Sequence, residues 1–212
     1  MVQSNRYMEN DSAYTRKRLV FACKRIADIL FSLVGLLLSA PLFFAVAFGI
    51  RLDSRGPVFF AQVRMGRNLQ PFLLYKFRTM TCHAPHDAPT AAIHSAVYIT
   101  RFGRFLRRTS LDELPQLYNI LRGDMSLIGP RPVVLTEEEL IAARLDAGVY
   151  RLRPGLSGLA QVLGRDLLSL PEKLTFDRLY LHHISLLLDI RLLLFSLASA
   201  FLGRGVREGE GR

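Results

Sequence analysis

The 212-residue chain has no tryptophan and only two cysteines, Cys23 and Cys82. Two cysteines cannot build a disulfide framework, and they read as reduced cytosolic thiols without an assigned role. Any anchoring at a membrane interface has to come from side chains other than tryptophan. No phosphate-binding P-loop and no Gly-x-Gly-x-x-Gly run occurs, so ATP hydrolysis and Rossmann dinucleotide binding have no support. Acidic residues are few, 18 against 28 lysines and arginines, for a net charge of +10. Such a balance suits nucleic acid, anionic lipid or a phosphorylated substrate. No RRM, zinc-finger or helix-turn-helix signature is present, so nucleic acid is not an expected partner. Internal repeats and low-complexity tracts are also missing. A cleaved signal peptide is not expected, because the apolar core starts late and no small-residue cleavage site follows it.

Half of the residues are hydrophobic, and the 22 residues from Ile29 to Ile50 form one uncharged, mostly apolar run. As a helix it would measure roughly 33 Å, enough to cross a bilayer. Two features favour a different course. Ser39-Ala40-Pro41 lies at its middle, where proline removes a backbone hydrogen bond and Ser39 can bond back to a nearby carbonyl and favour a bend. Both flanks are basic, with Lys17, Arg18, Lys24 and Arg25 before and Arg51 and Arg55 after. The positive-inside rule then holds both ends on the cytoplasmic side. The residues alone leave a spanning helix and a re-entrant helix, broken at Ser39 and Pro41, both open.

Beyond this run, Val58–Met65 and Phe72–Met80 read as a β-hairpin around Gly66-Arg67-Asn68. It is expected to gather Arg64, Arg67, Lys76 and Arg78 at one sheet end. Residues 81–98 read as a loop. Cys82, His83, His86 and Asp87 within it fit no zinc spacing. Helices are expected at Thr100–Arg108, Leu111–Leu121 with a stop at Gly123, and Glu137–Val149. Arg153–Gly164 is punctuated by proline and glycine. Leu179–Leu202 is leucine-rich but carries His182, His183, Asp189 and Arg191, so it reads as amphipathic helices in the interface or on the core.

The most informative stretch is 109–132. Asp112 and Glu113 sit side by side at the expected start of a helix, and Arg101, Arg104, Arg107 and Arg108 crowd the approach. A carboxylate pair among arginines suits chemistry on phosphate, where charge is neutralised and a metal assists. A structural alternative stands beside this: Ser110-Leu-Asp-Glu113 matches a capping box, with Asp112 favouring the helix dipole. A helix N-terminus there would keep Asp112 ionised and welcome phosphate. Asp124 reads as well as a turn residue beside Gly123 as it does as a ligand. Downstream, Gly129-Pro-Arg-Pro132 sets Arg131 between two prolines, which present its guanidinium from a stiff turn.

Leu-Asp-Glu-Leu-Pro-Gln-Leu117 and Gly-Asp-Met-Ser-Leu-Ile-Gly-Pro-Arg-Pro132 resemble the bacterial sugar transferases, the monotopic polyprenyl-phosphate phosphoglycosyl transferases. Further matching pieces occur in order: Lys24-Arg-Ile-Ala-Asp28, Ser39-Ala-Pro41, Gly56-Pro-Val-Phe-Phe60, Lys76-Phe-Arg-Thr-Met80 and Arg153-Pro-Gly-Leu-Ser-Gly158. The resemblance runs from about residue 20 to about residue 202. It implies an α/β, helix-rich monotopic membrane protein with a re-entrant helix-break-helix, interfacial amphipathic helices and a small β-hairpin or sheet. It implies an arm at 1–18, the membrane helix at 19–55, a cytoplasmic catalytic domain at 56–204 and a tail at 205–212.

The implied activity is transfer of a sugar 1-phosphate from a UDP-sugar to polyprenyl (undecaprenyl) phosphate, with release of UMP, as a first step of glycan assembly. By the resemblance Asp112 is the nucleophile and Glu113 its partner, and both are metal ligands for Mg²⁺ or Mn²⁺. Lys76, Arg78, Arg104, Arg108, Pro130, Arg131 and Pro132 are the implied substrate-binding residues. The implied location is the cytoplasmic face of a bacterial inner membrane, in contact with its lipid, with a homodimer as a possible assembly. Relatives often carry tryptophan near Leu170, where this chain reads Leu168-Ser-Leu-Pro-Glu172. Two rivals remain: a UDP-releasing glycosyltransferase and a non-catalytic membrane-attached scaffold for nucleotide or anionic lipid.

Overall fold

The computed structural model describes residues 18–85, 97–164 and 168–201. The expected arm before Arg18, the loop residues His86 and Asp87, and the tail at 205–212 lie outside them. Helix α1, Arg18–Asp53, dominates one side of the molecule. Its 36 residues would extend about 54 Å if straight, well beyond the roughly 30 Å of a hydrocarbon core. The helical backbone continues through Pro41, so the expected break at Ser39 and Pro41 is not a gap between two helices. Proline removes one helical amide donor and crowds the carbonyl a turn before it, and Ser39 Oγ donates back to Gly35 O at 2.6 Å.

Both ends of α1 are fastened to the same body. At the N-terminal end, Lys24 Nζ meets Asp189 Oδ2 at 2.6 Å. Arg25 donates to Ile120 O and Leu121 O at 2.6 and 2.9 Å, and Asp28 Oδ1 accepts from Leu127 N at 2.9 Å. At the far end, Asp53 Oδ2 accepts from Phe102 N at 3.1 Å. Val46 and Ile50 bury their side chains against Phe77 and Leu106. Between the two fastenings the helix is open: Leu37 is 67% exposed and Leu38 78%. A contiguous apolar surface of this kind is stable in lipid rather than water.

The hairpin forms as expected. Strands β1, Phe59–Met65, and β2, Pro71–Phe77, pair antiparallel from Phe59↔Phe77 to Met65↔Pro71. The turn at Arg67–Leu69 holds Asn68 and Leu69 at positive φ. This register corrects the expected cluster of basic residues. Arg64 and Arg67 lie at the turn, whereas Lys76 and Arg78 lie at the open end.

Helix α2, Arg101–Arg108, is capped by Thr100, whose Oγ1 accepts from Gly103 N. Its Leu106 is fully buried, while Phe105 is half exposed. A 3₁₀ turn at Leu111–Glu113 precedes helix α3, Gln116–Arg122, which stops at Gly123 in the left-handed region. The helix expected over 111–121 is therefore shorter, because Ser110 takes φ 57° and Pro115 starts the α-helix. Asn119 on α3 is fully buried. Its side chain accepts from Tyr75 N and donates to Leu73 O, so α3 is stitched to the edge of β2 by a side chain that mimics a peptide.

Strand β3, Ser126–Ile128, pairs parallel with β4, Gly155–Ser157. The sequence reading missed this pair. Helix α4, Glu138–Asp146, lies between them in the chain, and a short helix α5, Leu159–Leu163, follows. The C-terminal helices are α6, Leu170–His183, and α7, Leu186–Phe201. Helix α6 starts nine residues before the expected Leu179, because Ser169 and Glu172 form a capping box and Pro171 occupies the first turn. Tyr180, Ile184 and Leu192 pack with Ile128 and Leu152. The other side of α7 exposes Leu187, Ile190, Leu194 and Phe195.

Candidate active site

The open end of the hairpin and the 3₁₀ turn at Leu111–Glu113 create the site. Leu111 and Leu114 pack into the cluster of Phe77, Leu106, Val46 and Ile50. Packing on both sides draws the intervening pair against β2. Asp112 is thereby buried, with 7% of its surface exposed. Glu113 points to Lys76, whose Nζ lies 2.8 Å from its Oε1.

The capping alternative for this pair is not what forms. Ser110 makes no side-chain cap bond, and the Glu113 carboxylate is taken by Lys76 instead.

Burial is the main influence on Asp112, raising its pKa from 3.8 to about 6. Lys76 opposes the rise, Glu113 adds to it and Arg107 opposes it. The expectation that a helix N-terminus would keep Asp112 firmly ionised is corrected: removal from water outweighs the donors of a single 3₁₀ turn. The site thus holds a carboxylate that titrates close to neutrality beside a cation and a second acid. Such a group can be a nucleophile near pH 7, and its second acid can bind a metal or steer a proton.

Pro130-Arg131-Pro132 forms a wall beside the turn end of β1, and it is held from several sides. Gly155 N donates to Pro130 O at 2.8 Å and Gly129 N to Ser157 O at 2.8 Å. Arg144 Nη1 donates to Arg131 O at 2.7 Å, and Arg64 Nη1 to Pro132 O at 3.2 Å. Arg144 is itself fixed by a buried ion pair with Asp177, 2.6 Å from Nη2. The Arg64 guanidinium also donates to Gln62 Oε1 at 2.6 Å. Burial, then the nearby positive charge of Arg131, lowers the Arg64 pKa to about 10, while Glu137 and Glu113 work the other way. Two arginines on one wall next to an acid suit an anion with more than one phosphate.

Of the residues singled out from sequence, Asp112, Glu113 and Lys76 come together, and Arg131 is linked to them through Arg64, which lies in the field of both Arg131 and Glu113. Arg78 is placed differently. Its guanidinium donates to Ser54 O at 2.7 Å and Arg55 O at 2.8 Å, and a Cβ on Gly56 would collide with it. It closes the end of α1. Arg104 and Arg108 are exposed on α2, whereas Arg107 turns inward, donating from Nε to Thr79 Oγ1 at 2.9 Å.

Sequence reasoning missed Arg144 altogether, and it named Arg64 and Arg107 among nearby cations without choosing either for the site. For Arg107 the signal was the helical period, which sets it nearer the Leu106 side than Arg104 or Arg108. Asp124 is occupied as a turn residue, paired with Arg122 at 2.9 Å and accepting from Asn119 Nδ2. Among the described residues no group of three or more His, Cys, Asp or Glu is gathered to hold a metal.

The family model described as "Bacterial sugar transferase" matches residues 19–203. The chain is 36% identical over 201 residues to the UDP-glucose:undecaprenyl-phosphate glucose-1-phosphate transferase of Klebsiella pneumoniae, covering 92% of this chain and 43% of that protein. It is 35% identical to the uncharacterized sugar transferase EpsL of Bacillus subtilis, covering 87% of this chain and 90% of that one. It is 38% identical to the exopolysaccharide production protein ExoY of Rhizobium meliloti, covering 86% and 87%. The chain thus spans less than half of the Klebsiella protein and nearly nine tenths of the other two.

Proposed function

The chain belongs to the bacterial sugar transferase family, and from that premise we propose that it is a phosphoglycosyl transferase acting on a UDP-sugar and a polyprenyl phosphate. The observation that carries the proposal is Asp112, buried, titrating near neutrality and set beside Glu113, Lys76 and Arg107. The activity named for the Klebsiella relative supplies the substrate classes.

In the proposed reaction an Asp112 carboxylate oxygen attacks the sugar-bearing phosphorus of the UDP-sugar. A P–O bond forms to Asp112, the P–O bond to UMP breaks, and UMP leaves with that oxygen. A phosphate oxygen of the polyprenyl phosphate then attacks the same phosphorus. It expels the Asp112 carboxylate and takes the sugar phosphate as a lipid diphosphate. Lys76 and Arg107 offset the repulsion between carboxylate and diphosphate, and Arg64 and Arg131 hold the diphosphate from the Pro-Arg-Pro wall.

The donor set fits Mg²⁺, which takes oxygen ligands and commonly uses one or two carboxylates plus substrate phosphates. Asp112 and Glu113 would hold it. When bound, the ion supplies charge neutralisation at the phosphoryl oxygens. Lys76 holds Glu113 through their ion pair until substrate arrives.

A lipid acceptor requires the site to stand at a membrane face. We infer that α1 enters and leaves one leaflet, the cytoplasmic leaflet of the inner membrane. Support comes from its two fastenings to one body, its exposed middle, the Ser39 back-bond beside Pro41 and the basic residues at both ends. The apolar side of α7 would lie in the same interface.

The test is nucleotide release by the purified chain in nanodiscs with Mg²⁺, undecaprenyl phosphate and a panel of UDP-sugars. UMP from one donor, lost in Asp112→Asn, is the expected result. UDP as the product would move the chain to the glycosyltransferases, and absence of any nucleotide product together with tight UDP-sugar binding would make it a scaffold.

A further inference from the structure

Beyond the end of β2 the chain runs beside the segment that enters α2. Thr100 N donates to Thr79 O at 3.1 Å and Thr81 N to Tyr98 O at 2.9 Å, and Met80 faces Ile99 in an antiparallel bridge. Gly103, in the first turn of α2, has no room for a side chain, since a Cβ there would collide with Thr79 O. The Thr79 hydroxyl reaches the last turn of the same helix, where its Oγ1 accepts from Arg107 Nε at 2.9 Å. Thr79 is itself buried. A single buried residue thus touches α2 at positions 100, 103 and 107, which at 3.6 residues per turn spans about two turns.

These contacts set how α2 is rolled about its own axis. Arg101, Arg104 and Arg108 are exposed, and Arg107 is the arginine of this helix that turns inward. On the apolar side the roll is held by Leu106 in the cluster of Phe77, Val46 and Ile50. Apolar packing carries no direction of its own, whereas the hydroxyl does. A guanidinium is planar with its donors in a fixed fork, so a bond at Nε also sets the plane of Nη1 and Nη2. Threonine suits this task, because its branched Cβ restricts χ1 and holds the hydroxyl in one direction. Burial raises the Asp112 pKa and Arg107 is among the charges that oppose the rise, which puts this guanidinium in the field of the carboxylate. Lys76, three residues before Thr79, holds the neighbouring acid, Glu113.

We propose that Thr79 is a positioning residue for the phosphoryl transfer: its hydroxyl fixes the plane of the Arg107 guanidinium so that this cation meets the diphosphate of the UDP-sugar as it approaches Asp112. The inference rests on the reaction proposed above and adds to it a group that acts only through Arg107. A hydroxyl that merely braced the fold would support α2 whatever stood at position 107. A positioning hydroxyl contributes nothing once the arginine is gone. Misplacing a catalytic group by about 1 Å can cost on the order of 100-fold in rate, so the orientation of one donor is worth fixing.

The experiment is a double-mutant cycle on the full chain in nanodiscs. Thr79→Val removes the acceptor at nearly constant volume and is expected to lower kcat/KM for UMP release by about 10- to 100-fold. Thr79→Ser keeps the hydroxyl and should restore most of that loss. In an Arg107→Gln background Thr79→Val should add nothing, since the two residues act as one unit. The same cycle is closed in UDP affinity by calorimetry, which stays readable when turnover is slow. Losses that multiply in the double variant, a Thr79→Val protein with wild-type kcat/KM and UDP affinity, or a serine that fails to rescue would each overturn the positioning role. Absence of UMP release from the wild type overturns the underlying reaction and this inference with it, so the wild type alone tells the two failures apart. Should Thr79→Val fold poorly by circular dichroism, Thr79→Ala, which removes the same hydroxyl without placing a methyl beside Nε, takes its place in the cycle.

Discussion

Asp112→Asn is expected to abolish turnover and, at the same time, to stabilise the protein. The burial that makes Asp112 useful lifts its pKa from 3.8 to about 6. That interval corresponds to roughly 3 kcal/mol at most of folding free energy lost when the residue is ionised in both states. The sign follows from which state holds the proton more tightly. Above about pH 6 both forms are ionised and the folded protein bears the whole cost. Between about 6 and 3.8 the folded form keeps its proton while the unfolded chain gives it up, so the cost shrinks as pH falls. Below 3.8 it is gone.

The asparagine variant carries no such charge. Its advantage should be full near pH 8, and for a chain of this size each kcal/mol moves the Tm by about 2–4 °C. A gain of up to roughly 10 °C at pH 8, declining toward pH 5, is therefore expected, read by thermal unfolding in one detergent across that range. A variant no more stable than wild type at pH 8, or an advantage that does not shrink on acidification, would refute the account of Asp112 as a charge held out of water.

Lys76 is the largest of the influences that lower the Asp112 pKa. Lys76→Met should shift the acidic limb of the rate–pH profile toward higher pH, beyond a drop in rate at the optimum. Arg144 should act as a positioning residue: Arg144→Ala leaves Asp177 buried and unpaired, costs about 3–5 kcal/mol by denaturant titration and raises the KM for the UDP-sugar, with Arg144→Lys restoring stability only in part. Arg78→Ala removes charged hydrogen bonds to Ser54 O and Arg55 O and should lower stability by about 3 kcal/mol, whereas a phosphate contact would show itself as a change in KM at unchanged Tm. Chelation by EDTA should stop UMP release, with recovery on adding Mg²⁺ and no change in Tm large enough to explain the loss.

The hairpin, α2, the Gly123 stop and the carboxylate pair could be read from the sequence because each rests on local pattern. Alternation, a cap and an amphipathic period all fall within a dozen residues. What could not be read rests on distant contacts. Ser-x-x-Glu occurs at both Ser110 and Ser169, and the two are equivalent as strings. Only Ser169 builds the capping box, because Lys76, 37 residues away, claims Glu113. The burial of Asp112 is similarly a product of Leu111 and Leu114 meeting Phe77 and α1.

Strands β3 and β4 have three residues each, too few to show alternation. Arg104 and Arg108 were favoured over Arg107 by motif alone. At about 100° per residue the two lie some 160° from Leu106 on the wheel, and Arg107 only about 100°, a geometric cue that the sequence already contained.

The two fastenings of α1 turn the helix into a ruler. Asp28 is pinned to Leu127 and Asp53 to Phe102, so the chain between them cannot slide or rotate independently of the body. Inserting one residue near Pro41 would add about 1.5 Å and turn the following segment by about 100°. The fastenings at one end or the other would then have to give way. Under the membrane placement proposed above, the height of Asp112 over the lipid is counted out in residues, and a change of count at the exposed middle of α1 should be felt at the carboxylate as a change of altitude.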